Sequence, residues 1–302
     1  MSLRSNGSYI GYNRVTTTSQ DSASGIWSLA AAERRRRAAA WPMPFLPSNV
    51  TGLQLWLDAS DATTLYDATS GGSLVAADGS VARWEDKSGN ARHATQSTSG
   101  SRPLRKTGVQ GGKDVLRFDG SNDSLSIPTS TATFKFLHTS DHTVFIVFEN
   151  ENASYDPLVC TNSGGTDSVG LNIYAGDAGA GIGALAHQVF RGVNGTSVIN
   201  SASAQSFLTV GWNVVSVVGK PTDGTAANRS SIRKNGGSAV TNNAATGATS
   251  ANDPHSDLLI GRDGTPFDYH GGDIAEIIIY DSALSDANRE AVENYLLAKW
   301  GI

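Results

Sequence analysis

One cysteine, two methionines and nine prolines in 302 residues leave this chain short of common structural staples. Each shortage excludes something. A lone cysteine, Cys160, rules out an internal disulfide framework. It follows Leu158-Val159 in an apolar run, so it reads as a small buried hydrophobe and not as a reactive thiol. No apolar run reaches the roughly 18 residues of a membrane span, which argues against insertion into a bilayer. The polar stretch Ser5-Asn6-Gly7-Ser8 interrupts any export-signal core, so the chain is expected to be made in the cytoplasm without a signal peptide. No period of about 20–50 residues recurs, which excludes solenoids and propellers. Helix formers are thin outside two short segments.

What is present points to strands and turns. Glycine is abundant at 33 residues, hydrophobic residues make up 39% and charged ones 17%, a globular balance with many loops. Leu53-Gln54-Leu55-Trp56-Leu57 alternates as a half-buried strand does. Thr143-Val144-Phe145-Ile146-Val147-Phe148 is nearly continuous in apolar residues, as a strand in a sandwich core must be. Further strands are expected at 81–84, 115–118, 124–128, 156–160, 169–174, 184–191, 208–218, 229–234, 257–261 and 273–280. A closing helix starts at the cap Ser285 and carries Ala291, Val292, Tyr295, Leu296 and Trp300 on one face, ending at Gly301.

The first 48 residues differ from the rest. Six arginines (Arg4, Arg14, Arg34, Arg35, Arg36 and Arg37) against Asp21 and Glu33 leave them at +4, so the remainder of a chain of net charge −5 carries −9. Residues 1–24 are polar and unable to bury a core alone, which predicts an extended arm. Leu29 to Ala40 favours a helix that Trp41-Pro42 stops. Four consecutive arginines cannot share one helix face, so they make no nucleic-acid stripe and suit an acidic protein surface better. The expected organisation is an attachment arm, 1–48, and an all-β domain, 49–302.

Four segments in order resemble the concanavalin A-like, laminin-G-like jelly rolls. They are Leu55-Trp56-Leu57-Asp58-Ala59-Ser60, then Asp86-Lys87-Ser88-Gly89-Asn90, then Phe118-Asp119-Gly120-Ser121-Asn122-Asp123, then Gly272-Asp273-Ile274-Ala275-Glu276-Ile277-Ile278-Ile279-Tyr280-Asp281. The resemblance covers residues 52–302. It implies an antiparallel two-sheet sandwich with a C-terminal helix and a binding role. It also implies a structural calcium ion near Asp86, Asn90 and Glu276, oxygen ligands of the type calcium takes. The residue-level alternative at Asp86 is a turn that bonds its own backbone. Glycan recognition on this fold wants aromatic rings beside polar loop residues, and the candidates are Tyr155, Phe267, Asp268, Tyr269 and His270.

No Glu-x-Asp-x-Glu strand is present; Glu149 and Glu151 are framed by asparagines, and Glu85 and Asp86 are adjacent. The six histidines show no metal spacing. The expectation is therefore a chain that is not an enzyme, with catalysis none and no required cofactor.

The arm resembles the opening of tailed-bacteriophage virion structural proteins, through Arg4-Ser5-Asn6-Gly7-Ser8-Tyr9-Ile10-Gly11, Ser24-Gly25-Ile26-Trp27-Ser28-Leu29 and the arginine-rich segment. That resemblance implies a particle-surface protein, either head decoration or tail appendage. Tyr9, Ile10, Ile26, Trp27, Arg34 to Arg37 and Trp41 would contact other virion proteins and symmetry mates in a homo-oligomer. The jelly roll would face outward and touch host glycans. The alternatives are a carbohydrate-binding module of a secreted cellular protein and, behind it, a glycan hydrolase.

Overall fold

A computed structural model describes residues 45–302, save the short loops 152–154, 165–166, 177–182, 194–195 and 265–267, together with the backbone of two short arm strands. The chain divides into two compact units, Met1–Asn49 and Val50–Ile302. In the first, β1 (Tyr9–Ile10) pairs antiparallel with β2 (Trp27–Ser28). The side chains of Tyr9, Ile10 and Trp27, and all of Ile26, Arg34 to Arg37 and Trp41, lie outside the described residues.

The second unit is an antiparallel sandwich of two sheets, consistent with the concanavalin-like jelly roll. The first sheet holds β3 (Leu53–Asp58), β7 (Leu104–Gln110), β8 (Lys113–Asp119), β10 (His142–Asn150), β15 (Gly211–Gly219), β16 (Ser230–Lys234) and β18 (Gly271–Tyr280). The second holds β4 (Leu65–Tyr66), β5 (Arg83–Trp84), β6 (Ala94–Thr95), β9 (Leu125–Ile127), β11 (Tyr155–Cys160), β12 (Val169–Gly176), β13 (Leu185–Arg191), β14 (Ser197–Ala202) and β17 (Leu258–Ile260).

The long strand β18 organises the first sheet. One edge pairs with β10 from Ile274 to Tyr280, and the other is shared between β8 at Gly271 to Ile274 and β3 at Glu276 to Tyr280. Strand alternation sends Val144, Ile146 and Phe148 into the core between the sheets, where they meet Leu57, Leu116, Ile173, Val189 and Ile260. Phe145 points the other way and meets Tyr280 edge to face at 6.1 Å. Both faces of β10 and β18 are buried, which explains their nearly unbroken apolar sequence.

A helix covers that outer face. Short α1 (Phe136–Thr139) precedes β10, and α2 (Asp286–Trp300) follows β18. Ser285 caps α2 by accepting from the Asn288 amide, and Gly301 ends it in the left-handed region at φ 68°. Val292, Leu296 and Trp300 are buried, and so are Arg289 and Glu293. Arg289 donates from Nε and Nη2 to the Ser216 hydroxyl and carbonyl at 2.8 Å and pairs with Glu293 at 3.2 Å, so the helix is fastened to β15 by a buried polar knot. No helix among the described residues is long and apolar enough to cross a membrane.

Candidate functional site

Asp86 is the hub of the turn that follows β5. Its Oδ1 accepts the amides of Trp56 at 3.0 Å and Ser88 at 2.8 Å. Its Oδ2 accepts the Ser88 hydroxyl at 2.7 Å and the Arg92 amide at 3.0 Å. Gly89 sits at φ 91°, a conformation that disfavours a Cβ and explains the glycine between Ser88 and Asn90. Asn90 Nδ2 donates to the carbonyls of Leu53 and Gln54.

These residues do not fit a calcium ion. Every Asp86 carboxylate oxygen faces N–H or O–H donors, the arrangement of a turn that bonds its own backbone. Glu276 belongs to a separate cluster beneath α2. Its Oε1 accepts the Trp56 indole N–H at 2.7 Å, and Oε2 accepts Trp300 Nε1 and Lys299 Nζ, each at 2.7 Å. Lys299 also reaches Asp58 at 2.6 Å, and Lys87 reaches the other Asp58 oxygen at 2.9 Å. Burial pushes the Glu276 carboxyl up, reinforced by Asp58. Burial also works to raise Asp58, but Lys299 and Lys87 overcome it and hold that carboxyl below its ordinary value. The cluster ties β3, β18 and α2 together. No group of three or more His, Cys, Asp or Glu is disposed to hold a metal among the described residues.

Two of the aromatic candidates, Tyr155 and His270, are used internally. Tyr155 opens β11, packs against Tyr174 at 4.5 Å, donates to Asp263 at 3.3 Å and accepts from Asn172 at 2.9 Å. His270 is fully buried, with Nδ1 2.6 Å from Asp156 Oδ1. Tyr269 is half-buried in an isolated bridge with Arg262, next to half-buried Asp268, and Phe267 lies outside the described residues. The structure brings Tyr155 and His270 to one end of the sandwich, linked through Asp156, but as packed groups and not as an exposed platform. Acidic side chains from several elements meet at this end. Arg117 grips Asp273 with two bonds of 2.7 Å, and burial, Asp273 and Glu151 push the Glu149 carboxyl up.

A cleft of about 330 Å³ opens on the far side of the Asp86 turn. That volume is at the lower end of small-molecule sites, about 300–1,000 Å³. The turn supplies Ala91, Arg92 and His93, β6 supplies Thr95, and the loop after β4 supplies Thr69. Ile127 of β9 and the following Pro128, Thr129, Ser130 and Thr133 complete it. The Asp86 turn aims two of these side chains. Asp86 accepts the Arg92 amide, and its own amide donates to His93 Nδ1 at 3.1 Å.

Two of the five non-glycine residues with positive φ among the described residues line this cleft, Ala91 at 55° and Thr129 at 54°. A β-branched residue there is strained. Asp257 holds it in place by accepting the amides of Thr129 at 3.1 Å and Ser130 at 2.6 Å. Backbone strain of this kind concentrates at functional sites. Arg92 and His93 lie just after the turn signature Asp86 to Asn90, and their position there is one signal in the sequence. The hydroxyl-rich run Pro128-Thr129-Ser130-Thr131-Ala132-Thr133 was the other available signal.

No family model and no curated protein matches this chain. Solved structures do. It is similar to a Trypanosoma rangeli sialidase in complex with sialic acid, at TM-score 0.51 and 15% identity over 88% of this chain and 37% of that one. It is similar to a mutant of the same sialidase displaying trans-sialidase activity, at TM-score 0.50 and 14% identity over 86% and 35%. A binding domain of botulinum neurotoxin DC in complex with SialylT also matches, at TM-score 0.45 and 9% identity over 83% and 52%. The chain spans about a third to a half of the length of these structures, and at such identity the likeness is one of fold.

The sialidase matches correct one expectation. The sequence argued against an enzyme because it lacks paired carboxylates on one strand, but structures of this fold include sialidases, so that exclusion does not hold. The physical reason is visible at the acidic end. Carboxylates need not share a strand to act together, and Glu149 of β10 and Asp273 of β18 interact although they are distant in sequence.

Proposed function

We propose that residues 50–302 recognise a glycan, and that the sugar sits in the cleft beside the Asp86 turn. The cleft carries this reading. It offers a guanidinium, an imidazole and several hydroxyls beside the apolar Ile127 and Pro128, a mixture suited to a sugar's polar rim and apolar faces. Support also comes from the fold, since a structure similar to this one was solved in complex with sialic acid.

The finer reading places the protein on the surface of a tailed-bacteriophage particle. The basic arm, residues 1–48, attaches it to other virion proteins and to symmetry mates, and the sandwich meets host glycans. The supports are the arm's +4 charge against −9 for the rest, and its sparse anchors Ile26, Trp27 and Trp41.

Two measurements test these readings. On a glycan array the full chain should be retained by a defined set of sugars, and a chain with Thr133→Trp, which fills the cleft, should lose them. Retention that survives Thr133→Trp sinks the cleft. Deleting residues 1–48 should leave a folded, glycan-binding body that no longer joins the particle. A full chain that binds glycan as a free monomer and joins no particle would instead be a carbohydrate-binding module of a cellular protein. Assaying released sugar from the retained glycans decides whether binding is followed by cleavage.

A further inference from the structure

Within that reading of the cleft as a glycan site, we infer that the sugar it takes is anionic, with its acidic group held by Arg92 and His93. The hydrogen-bond bookkeeping of the two side chains leads there. Arg92 commits Nη1 to Gln54, to the carbonyl at 2.9 Å and to Oε1 at 2.6 Å. Its Nε and Nη2 have no partner among the described residues, so a fixed guanidinium presents its remaining donors. The Gln54 contacts hold the fork in place, which lowers the entropy lost when it grips a ligand.

His93 is fixed in a complementary way. An amide N–H can only donate, so His93 Nδ1, which receives the Asp86 amide, must be the acceptor. The ring proton then resides on Nε2, which has no partner among the described residues. Neutral His93 is a donor toward the cleft. Arg92 and His93 are adjacent in sequence and locked by the same aspartate, the first through its side-chain carboxylate and the second through its backbone amide.

The electrostatics agree. No Asp or Glu lines the cleft, although the body carries an excess of acid. Asp257, which braces the rim of the cleft, is occupied by the Thr129 and Ser130 amides. Burial pulls the Arg92 guanidinium below its usual value, and Asp86 and Asp281 offset this in part. A partly desolvated cation beside hydroxyls, with no carboxylate in the lining, favours an anion over a neutral sugar. The exposed hydroxyls around it, Thr69 and Thr133, serve the rest of the sugar ring.

A carboxylate and a sulfate share this chemistry, so the test separates them. The full chain is applied to an array with three arms: sugars bearing a carboxylate, sugars bearing a sulfate, and their neutral counterparts. Retention is expected on one acidic arm and not on the neutral one. It should weaken with added salt, as screening requires. Arg92→Gln should reduce retention on the order of tenfold to a hundredfold, the loss of a charge-assisted bond. Because Arg92 also contacts Gln54, a second variant guards against misfolding. Thr133→Glu puts a carboxylate into the cleft at an exposed residue, and it should abolish acidic retention while leaving the thermal midpoint unchanged. Equal retention of acidic and neutral sugars, or acidic retention indifferent to both variants, overturns this inference and leaves the glycan reading standing. Retention of no sugar at all removes the glycan reading and this inference with it.

Discussion

The indole N–H of Trp300 donates to Oε2 of Glu276 at 2.7 Å, joining the end of the C-terminal helix to the middle of the first sheet. The same carboxylate serves Trp56 and Lys299. A single acceptor pair therefore satisfies three buried or half-buried donors from two elements, β3 and α2. Glu276→Ala strands the two indole N–H groups and leaves Lys299 to Asp58 alone, and it is expected to cost about 2–5 kcal/mol, since each buried donor left unsatisfied costs about 1–3 kcal/mol. Trp300→Phe removes one bond and should cost about 1–3 kcal/mol. Urea unfolding reads both. A loss under about 1 kcal/mol for Glu276→Ala would mean the cluster does not hold the helix down.

Asp86 acts on the cleft without lining it. Asp86→Ala deletes four accepted bonds and frees the segment that presents Arg92 and His93. Stability should fall by about 2–4 kcal/mol, and glycan retention should fall even at temperatures where the variant stays folded. Circular dichroism and the array, run on the same sample, separate the two effects. Native retention by a folded Asp86→Ala chain would show that the turn does not set the cleft.

Acid should unfold this protein through a buried histidine pair. His142 Nδ1 lies 3.1 Å from the Ser140 carbonyl, which only accepts, so the proton is on Nδ1 and Nε2 is the acceptor. His187 Nε2, 3.3 Å away, must then donate, and its Nδ1 accepts from the Ser230 hydroxyl at 2.9 Å. Both rings are neutral in this chain of bonds. Burial pulls His142 down to about 4, in the same direction as the nearby His138, and pulls His187 well below its ordinary value. The unfolded chain takes up protons at about 6.5, so stability is full above that pH and is lost as pH falls toward 4. His142 alone accounts for a loss on the order of 3 kcal/mol. Urea midpoints at pH 7.5, 5.5 and 4.5 should follow that slope. A His142→Gln/His187→Gln chain that keeps the same slope would assign it to carboxylates instead.

Cys160 should be silent toward thiol reagents. Burial pushes its pKa up to about 12, and its sulfur sits over Asn162 inside the second sheet. A disulfide-exchange dye should label the native chain at the rate of global opening, and a urea-unfolded chain at once. Fast labelling of the native chain would show local opening of β11.

The elements that sequence revealed are those whose own residues decide their state. The run 143–148 and the stretch 273–280 are apolar on both faces because both faces are buried. Ser285 and Gly301 bound α2 through local caps. Strand β7 left no such trace. It is largely solvent-facing, with a polar sequence, Leu104-Arg105-Lys106-Thr107-Gly108-Val109-Gln110, and it is a strand because β8 supplies a partner. Strand β14 is a short edge paired to β13, and its two core residues, Val198 and Ile199, are adjacent and so show no strand alternation. The cleft was illegible for a related reason. Thr69, Arg92 and Thr133 are brought together by the sandwich, and no spacing in the chain encodes their convergence. Glu276 misled because a carboxylate on a strand carries no mark of whether ammonium and indole donors or a cation will meet it.

Strand β18 is the last strand in the chain and lies at the centre of its sheet, between β10 and the pair β3 and β8. During synthesis those three strands emerge long before the one that joins them, and none of them can close the sheet alone. Between the appearance of β10 and that of β18 the nascent chain must carry unpaired apolar edges through some 120 residues of translation. Assembly of the first sheet is thus a late, nonlocal event, and a slow step in folding is set by the order in which the ribosome delivers the parts.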